Sequence, residues 1–128
     1  MAKVLLIEDY DSLREVYTTI LKDAGHEVLI AKNGEEGLEQ AKSNKVDLIL
    51  LDILMPKEGG FEFLEKYDMK SHQNVKLIIL TNVTSVDFIN KALALGANNY
   101  LVKAEITPEK MMDVINETLG ESSPKHKK

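Results

Sequence analysis

Five short aliphatic runs recur along the 128-residue chain, and a longer amphipathic stretch follows each of them. The runs lie at residues 4–7, 27–31, 46–51, 75–80 and 99–102. Four of them are nearly continuous in Val, Ile and Leu, which is typical of strands buried on both faces of a parallel sheet. The second run is more polar at its edges, which favours a strand at the border of the sheet.

The stretches between the runs carry apolar residues at helical spacing, so they are predicted to be helices. The third is expected at about residues 61–67. The others begin with residues that commonly cap helices: Asp11 or Ser12, then Asn33, Ser85 and Thr107. Five strand–helix units in a row predict an α/β protein with an open parallel sheet, right-handed crossovers and helices on both faces.

Length and composition favour one globular domain. The chain is 44% hydrophobic and 29% charged, close to the globular average, and it contains no cysteine for disulfides or thiolate zinc sites. No apolar run approaches the roughly 18 residues of a membrane-spanning helix. The net charge of -5 argues against nucleic-acid binding. We expect a cytoplasmic protein with a domain over residues 1–120 and a mobile polar tail over 121–128.

The second predicted strand is followed only by Lys32 and Asn33, but candidate site residues follow the other four, at the edge where parallel sheets bind their ligands. These residues are Glu8 and Asp9, Asp52, Thr81 and Lys103. Taken singly, each has an ordinary interpretation as a cap, a turn residue or an exposed residue, but their conjunction favours a common site. At about 4 Å and an effective dielectric near 20, each pair of carboxylates repels by about 4 kcal/mol. Lys103 offsets one charge, and a hard divalent cation, best Mg²⁺, is expected to offset the rest.

In their order along the chain, these residues and their neighbours resemble the receiver domain of bacterial two-component response regulators, especially the single-domain chemotaxis receivers. The motifs that carry the resemblance lie at residues 5–10, 47–56, 59–62, 79–81, 94–97 with Tyr100, and 101–103. The resemblance extends over roughly residues 3–119. It implies a flavodoxin-like, doubly wound (βα)5 fold with strand order 2-1-3-4-5.

The resemblance also implies a role for each matching residue. Asp52 corresponds to the phosphoacceptor. The implied Mg²⁺ ligands, with Mn²⁺ as an alternative metal, are Glu8, Asp9, Asp52 and the backbone carbonyl of Leu54. Lys103 corresponds to the amine that pairs with a phosphoryl oxygen, and Thr81 to the switch hydroxyl. Tyr100 corresponds to the aromatic residue that turns inward on activation.

A receiver is a phosphoacceptor regulator that promotes its own phosphotransfer and dephosphorylation, rather than an enzyme with a separate substrate. The implied phosphoryl donor is a histidine kinase or histidine phosphotransfer protein. The output is expected to be a protein contact, unless the chain is a fragment of a longer regulator. We expect no nucleic-acid or membrane binding, and either a monomer or a phosphorylation-dependent dimer.

Two surfaces are candidates for partner contacts. The first comprises Phe88, Leu95 and Tyr100, although Phe88 and Leu95 have equal odds of merely bordering the core. The second lies on the first helix at Leu13 and Arg14, near the acidic residues, and is a candidate for donor docking.

Two positions depart from the family pattern. Ala104 follows Lys103 where proline is usual, so we expect either a trans peptide with a shifted loop or a strained cis bond. Asn82 follows Thr81 where a small residue is usual. Both give weight to an alternative, a pseudo-receiver that acts only as a protein-interaction module. A phosphatase or a flavin carrier is disfavoured, because Leu54 replaces a second aspartate and residues 8–10 do not form a phosphate-cradling loop.

Leu54 and Val83 are apolar neighbours of the predicted site, and we hypothesise that they hinder the water that attacks an acyl phosphate. Replacing Val83 with Glu is therefore expected to shorten the lifetime of that phosphate. The decay of the phosphorylated protein, followed before and after the substitution, measures this. An unchanged lifetime would count against the hypothesis.

Overall fold

The computed structural model describes residues 2–55, 59–82 and 85–120, so the predicted tail at 121–128 lies outside the described residues. The strands are β1 (Lys3–Ile7), β2 (Glu27–Ala31), β3 (Leu48–Asp52), β4 (Lys76–Thr81) and β5 (Asn99–Val102). The helices are α1 (Asp11–Asp23), α2 (Gly34–Ser43), α3 (Gly60–Tyr67), α4 (Val86–Ala94) and α5 (Pro108–Thr118). Single turns of 3₁₀-helix cover Met69–Ser71 and Lys103–Glu105. Across the described ranges, no helix has the length and apolar character to cross a bilayer.

All strand pairs are parallel, and the sheet has the order β2-β1-β3-β4-β5. At the centre of the sheet, Leu50 of β3 lies between Leu6 of β1 and Ile78 of β4. Every residue of β3 is buried, whereas most of β2 is partly or fully exposed at the sheet edge. The predicted α/β class, the strand order and the border position of β2 are confirmed.

Alternate strand residues face opposite sides of the sheet and form two core layers. Leu5, Ile49 and Ile79 lie in the layer that α2, α3 and α4 cover. Val4 and Leu50 lie in the layer that α1 and α5 cover. The sheet is therefore sealed on both faces, and its strand ends are the places where polar side chains meet.

The predicted caps are confirmed for three helices. Asn33, Ser85 and Thr107 accept hydrogen bonds from the backbone N–H of Glu36, Phe88 and Lys110, respectively. The prediction for α1 was wrong, because Tyr10 occupies the N-cap position and no side chain caps the helix. Asp11 is instead the first helical residue, and its carboxylate pairs with Arg14.

The segment after β3 returns closely to the end of that strand. Gly60, the first residue of α3, donates its backbone N–H to the carbonyl of Ile53 at 3.2 Å. A Cβ at position 60 would lie 2.5 Å from the Cα of Ile53, a distance that backbone atoms cannot accommodate without moving. Glycine at this position therefore lets α3 begin directly beside the carboxyl end of the central strand.

Candidate functional site

Three carboxylates meet where β1 and β3 end. Glu8 and Asp9 directly follow β1, and Asp52 is the last residue of β3. One oxygen atom from each carboxylate lies within 4.8 Å of the others. Glu8 is 0% exposed and Asp52 is 2% exposed, whereas Asp9 is open to solvent. The predicted convergence of the three acids is confirmed, because neighbouring parallel strands place their carboxyl ends at one edge.

Lys103 reaches this cluster from the end of β5. Its Nζ lies 3.1 Å from Oδ2 of Asp52 and 3.1 Å from Oε1 of Glu8. It donates a longer hydrogen bond of 3.4 Å to Oε2 of Glu8. One ammonium group is thus shared by two buried carboxylates.

The backbone after Lys103 shows which of the two peptide geometries expected before Ala104 is present. The Lys103–Ala104 peptide is trans, and the chain turns directly into the 3₁₀-helix Lys103–Glu105. Of the two expected outcomes, the trans peptide is the correct one. The lysine side chain contacts both Glu8 and Asp52 from this backbone.

Burial and like charge change the acidity of the cluster. Burial, and after it the charge of Glu8, raise the pKa of Asp52 to about 7, although Lys103 acts in the opposite direction. Burial alone would lower the pKa of Lys103, but the carboxylates of Asp52 and Glu8 outweigh it and raise this pKa. The surroundings of Asp52 therefore disfavour its ionised form, and Lys103 is the main group that stabilises that form.

The other predicted site residues flank the acids. Thr81 ends β4, beside the strand of Asp52, and is buried, whereas the following Asn82 is exposed. The backbone N–H of Leu54 donates to Oδ1 of Asp52 at 3.2 Å, and its side chain is 53% exposed. Tyr100 lies on β5 with 41% of its surface exposed. Val83 lies outside the described residues.

The predicted partner residues occupy different environments. Phe88 and Leu95 are half-buried and pack against the core layer under α2, α3 and α4. The ring of Phe88 meets that of Phe61 edge-on at a centroid distance of 5.0 Å. Leu13 is half-buried against the opposite layer. Arg14 is only 9% exposed, so its guanidinium lies inside the protein rather than on the face of α1 where the sequence suggested a docking surface.

Two buried residues near the site were not assigned to it from the sequence. Nη1 of Arg14 donates to the backbone carbonyl of Glu8 at 2.9 Å. Tyr17, one helical turn further along α1, is buried beside Lys103 at the groove between α1 and α5. The available signal for Arg14 was that it is the sole arginine among the 16 basic residues.

The cluster has the composition of a site for a hard divalent cation. Its side chains offer carboxylate oxygens, and the cluster includes neither histidine nor cysteine. Within the described part of the chain, Oε1 of Glu8 is buried without a hydrogen bond of good geometry, although Lys103 Nζ lies near it. Such an oxygen, next to two further carboxylates, is suited to Mg²⁺. The acidic cluster could therefore bind a metal ion.

Comparison with known families agrees with this geometry. A sequence model described as the response regulator receiver domain matches residues 4–116. The chain belongs to the response regulator receiver domain family. It is thus a receiver domain of two-component signal transduction, a class of signalling regulators.

Individual relatives fit the same assignment. The chemotaxis protein CheY of Treponema pallidum (strain Nichols) is 38% identical over 104 residues, covering 79% of this chain and 72% of that protein. The solved structure of Vibrio cholerae chemotaxis protein CheY4 has a TM-score of 0.86 and 35% identity, covering 92% of this chain and 98% of that one.

Other curated relatives are much longer than this chain. Response regulator GacA of Pseudomonas syringae pv. syringae (strain B728a) is 34% identical over 105 residues, which are 80% of this chain but 49% of that protein. The chain spans less than half the length of several curated relatives it matches.

Replacing Asp52 with Asn is expected to stabilise the protein in EDTA at pH 8. The folded-state pKa of Asp52, about 7, lies above its ordinary value of 3.8, so the folded state binds more protons than the unfolded state between these values. Stability therefore falls as pH rises through this window, and Asn avoids the loss. We expect a gain of roughly 1–3 kcal/mol in the free energy of unfolding at pH 8, shrinking as pH falls toward about 4.

Urea unfolding at several pH values measures this gain. Asp23→Asn is a matched control, because Asp23 is exposed at the end of α1. It should change stability by less than about 0.5 kcal/mol at every pH. Equal or lower stability of Asp52→Asn at pH 8 would contradict the electrostatic description of the site.

Proposed function

We propose that this receiver accepts a phosphoryl group on Asp52 in a Mg²⁺-dependent reaction and relays the signal to a protein partner. The observation that carries the proposal is the position of Asp52 at the end of the central strand, buried, beside Glu8 and 3.1 Å from the ammonium of Lys103. A carboxylate in such a place is a nucleophile that can form an acyl phosphate. The proposed donor is the phosphohistidine of a histidine kinase or phosphotransfer protein.

In the proposed transfer, an oxygen of Asp52 forms the new bond to phosphorus. The bond between phosphorus and the donor imidazole nitrogen breaks, and the nitrogen keeps the electron pair. Lys103 can shift its contact from the ionised carboxylate to a phosphoryl oxygen, because a lysine ammonium is a compact point charge on a flexible stem. The acyl phosphate that results would later be lost to water, with release of inorganic phosphate.

The residues proposed to hold the cation are Glu8, Asp9, Asp52 and the backbone carbonyl of Leu54. When bound, a magnesium ion supplies positive charge to the phosphoryl oxygens and to the acids themselves. Two features support this assignment: the spacing of the three carboxylates and the buried, poorly satisfied Oε1 of Glu8.

We propose that Thr81 and Tyr100 form the conformational switch. The acyl phosphate carries about 1.5 to 2 negative charges where the ionised carboxylate carried one, and it brings new acceptor oxygens. The hydroxyl of Thr81, on the strand next to Asp52, can donate to one of these oxygens and draw the segment after β4 inward. Tyr100 on β5 is the neighbour of Ile79 in β4 and is partly exposed, so it can move into space vacated by that segment.

The switch is expected to act at a protein surface. Tyr100, with Phe88 and Leu95 on and after α4, is the proposed contact for a downstream protein, and Leu13 on α1 is proposed for the phosphoryl donor. The protein is proposed to work in the cytoplasm, as a monomer or as a phosphorylation-dependent dimer, without contact to nucleic acid or membrane.

Mass spectrometry after incubation with acetyl phosphate and Mg²⁺ tests the phosphoacceptor. Wild type is expected to gain the mass of one phosphoryl group, and the adduct should be released by hydroxylamine because it is an acyl phosphate. Asp52→Ala should remain unmodified, whereas Asp47→Ala, at an exposed aspartate before the same strand, should be labelled like wild type. EDTA should abolish labelling. Equal labelling of Asp52→Ala would refute the proposal.

The switch has its own prediction. Beryllofluoride with Mg²⁺, which stands in for the phosphoryl group, is expected to shift the NMR signals of the Tyr100 ring in wild type. Thr81→Val should bind the same group without the shift at Tyr100, because it lacks the donating hydroxyl. Thr19→Val, at an exposed threonine of α1, is the matched control and should respond like wild type.

Two results of that experiment would contradict the proposal in different ways. An unchanged Tyr100 response in Thr81→Val would separate Thr81 from the switch. No response of wild type to beryllofluoride and Mg²⁺ would instead favour the pseudo-receiver alternative, in which the domain acts only through protein contacts.

A further inference from the structure

Arg14 is the single arginine in a chain rich in lysine. Of its 16 basic residues, 15 are lysines and one is arginine. That arginine lies in the second turn of α1 and is buried, whereas most of the described lysines are exposed. Arginine differs from lysine in presenting a rigid, planar fork of donors that can bind two acceptors at once. The donor geometry of the guanidinium is therefore the property that distinguishes arginine from lysine at this position.

The fork holds both ends of the segment that joins β1 to α1. Nη1 of Arg14 donates to the backbone carbonyl of Glu8 at 2.9 Å, and this bond is buried. Nη2 of Arg14 forms an ion pair with the carboxylate of Asp11. Asp9 and Tyr10 lie between the two acceptors. One guanidinium thus links Glu8, the first residue after β1, to Asp11, the first residue of α1.

Further contacts close the same segment. The backbone N–H of Tyr10 donates to Oε2 of Glu8 at 3.1 Å, and the backbone N–H of Arg14 donates to the carbonyl of Tyr10 at 2.9 Å. The carboxylate of Glu8 is therefore oriented by the loop that follows it. Asp9 is exposed and its position in the acidic cluster depends on backbone that Arg14 holds on either side.

This arrangement separates Arg14 from the charge balance of the cluster. Its hydrogen bond goes to the main-chain oxygen of Glu8, and its ion pair goes to Asp11, which lies outside the three-acid cluster. Lys103 is the residue that contacts the carboxylates of Glu8 and Asp52. Arg14 therefore acts on the shape of the site rather than on its charge.

We propose that Arg14 is a positioning residue that holds the β1–α1 loop so that Glu8 and Asp9 face Asp52 at the spacing a divalent cation requires. The inference rests on the proposed binding of Mg²⁺ by these acids. Groups that orient metal ligands typically change metal affinity by about 10- to 100-fold when they are removed. The loop contacts of Arg14 predict an effect of that kind.

The test compares wild type with Arg14→Lys and Arg14→Met. Lys keeps the buried positive charge but lacks the fork, and Met removes both. Lys22→Met, at an exposed lysine in the last turn of the same helix, is the matched control. Calorimetric titration with MgCl₂ alone measures affinity. Amide hydrogen exchange in EDTA compares the amides of residues 10 and 14, which are hydrogen-bonded across the loop, with strand β1, residues 3–7.

Both Arg14 variants are expected to bind Mg²⁺ roughly 10-fold more weakly than wild type, and Lys22→Met should bind like wild type. Exchange should accelerate at residues 10 and 14 in both variants while β1 keeps its protection. If Arg14→Met fails to fold, Arg14→Lys carries the comparison, because it retains the buried charge.

Two results would overturn the inference. One is wild-type affinity and wild-type loop exchange in Arg14→Lys, which would show that the fork is not needed. The other is weaker binding with exchange accelerated equally in β1, which would reduce the role of Arg14 to general stability. If wild type itself takes up no Mg²⁺, the proposed cofactor fails, and localised exchange in EDTA still decides whether Arg14 positions the loop.

Discussion

The repulsion among Glu8, Asp9 and Asp52 is the constraint on which the rest of the site depends. A parallel sheet with β1 beside β3 forces these acids together, since both strands end at the same edge. Two of the three are buried, where repulsion is poorly screened. Lys103 crosses from β5 to contact both buried acids, yet burial and the charge of Glu8 together still raise the pKa of Asp52. The fold therefore maintains a site that is electrostatically unfavourable on its own.

Such a site is well suited to binding and signalling, because any positive charge or charge transfer there changes the balance of forces. A cation relieves the repulsion, and a phosphoryl group on Asp52 would convert a carboxylate into a larger anion that Lys103 and Thr81 can contact. In the proposed switch, a local event at the end of β3 biases the segment after β4 and the neighbouring strand β5 with Tyr100.

Much of this could be predicted from the sequence. Continuous aliphatic runs located the strands, and the strand order followed from the family resemblance. The residues after each run located the acids and Lys103. The features that could not be predicted depend on tertiary contacts, which produce no periodic pattern in the sequence. Arg14 is buried with its guanidinium donating to the backbone carbonyl of Glu8 and pairing with Asp11, while Tyr10 occupies the N-cap position of α1. Likewise, Ala104 alone could not distinguish a trans from a cis peptide, nor predict that Lys103 would contact two acids.

The central claim is that burial and neighbouring charge oppose ionisation of Asp52 until a cation binds. Carbon-13 NMR titration of the Asp52 carboxyl, in EDTA and again with Mg²⁺, measures this most directly. We expect Asp52 to ionise near pH 7 in EDTA and Mg²⁺ to lower its pKa markedly. An ordinary aspartate titration in EDTA that Mg²⁺ leaves unchanged would contradict it.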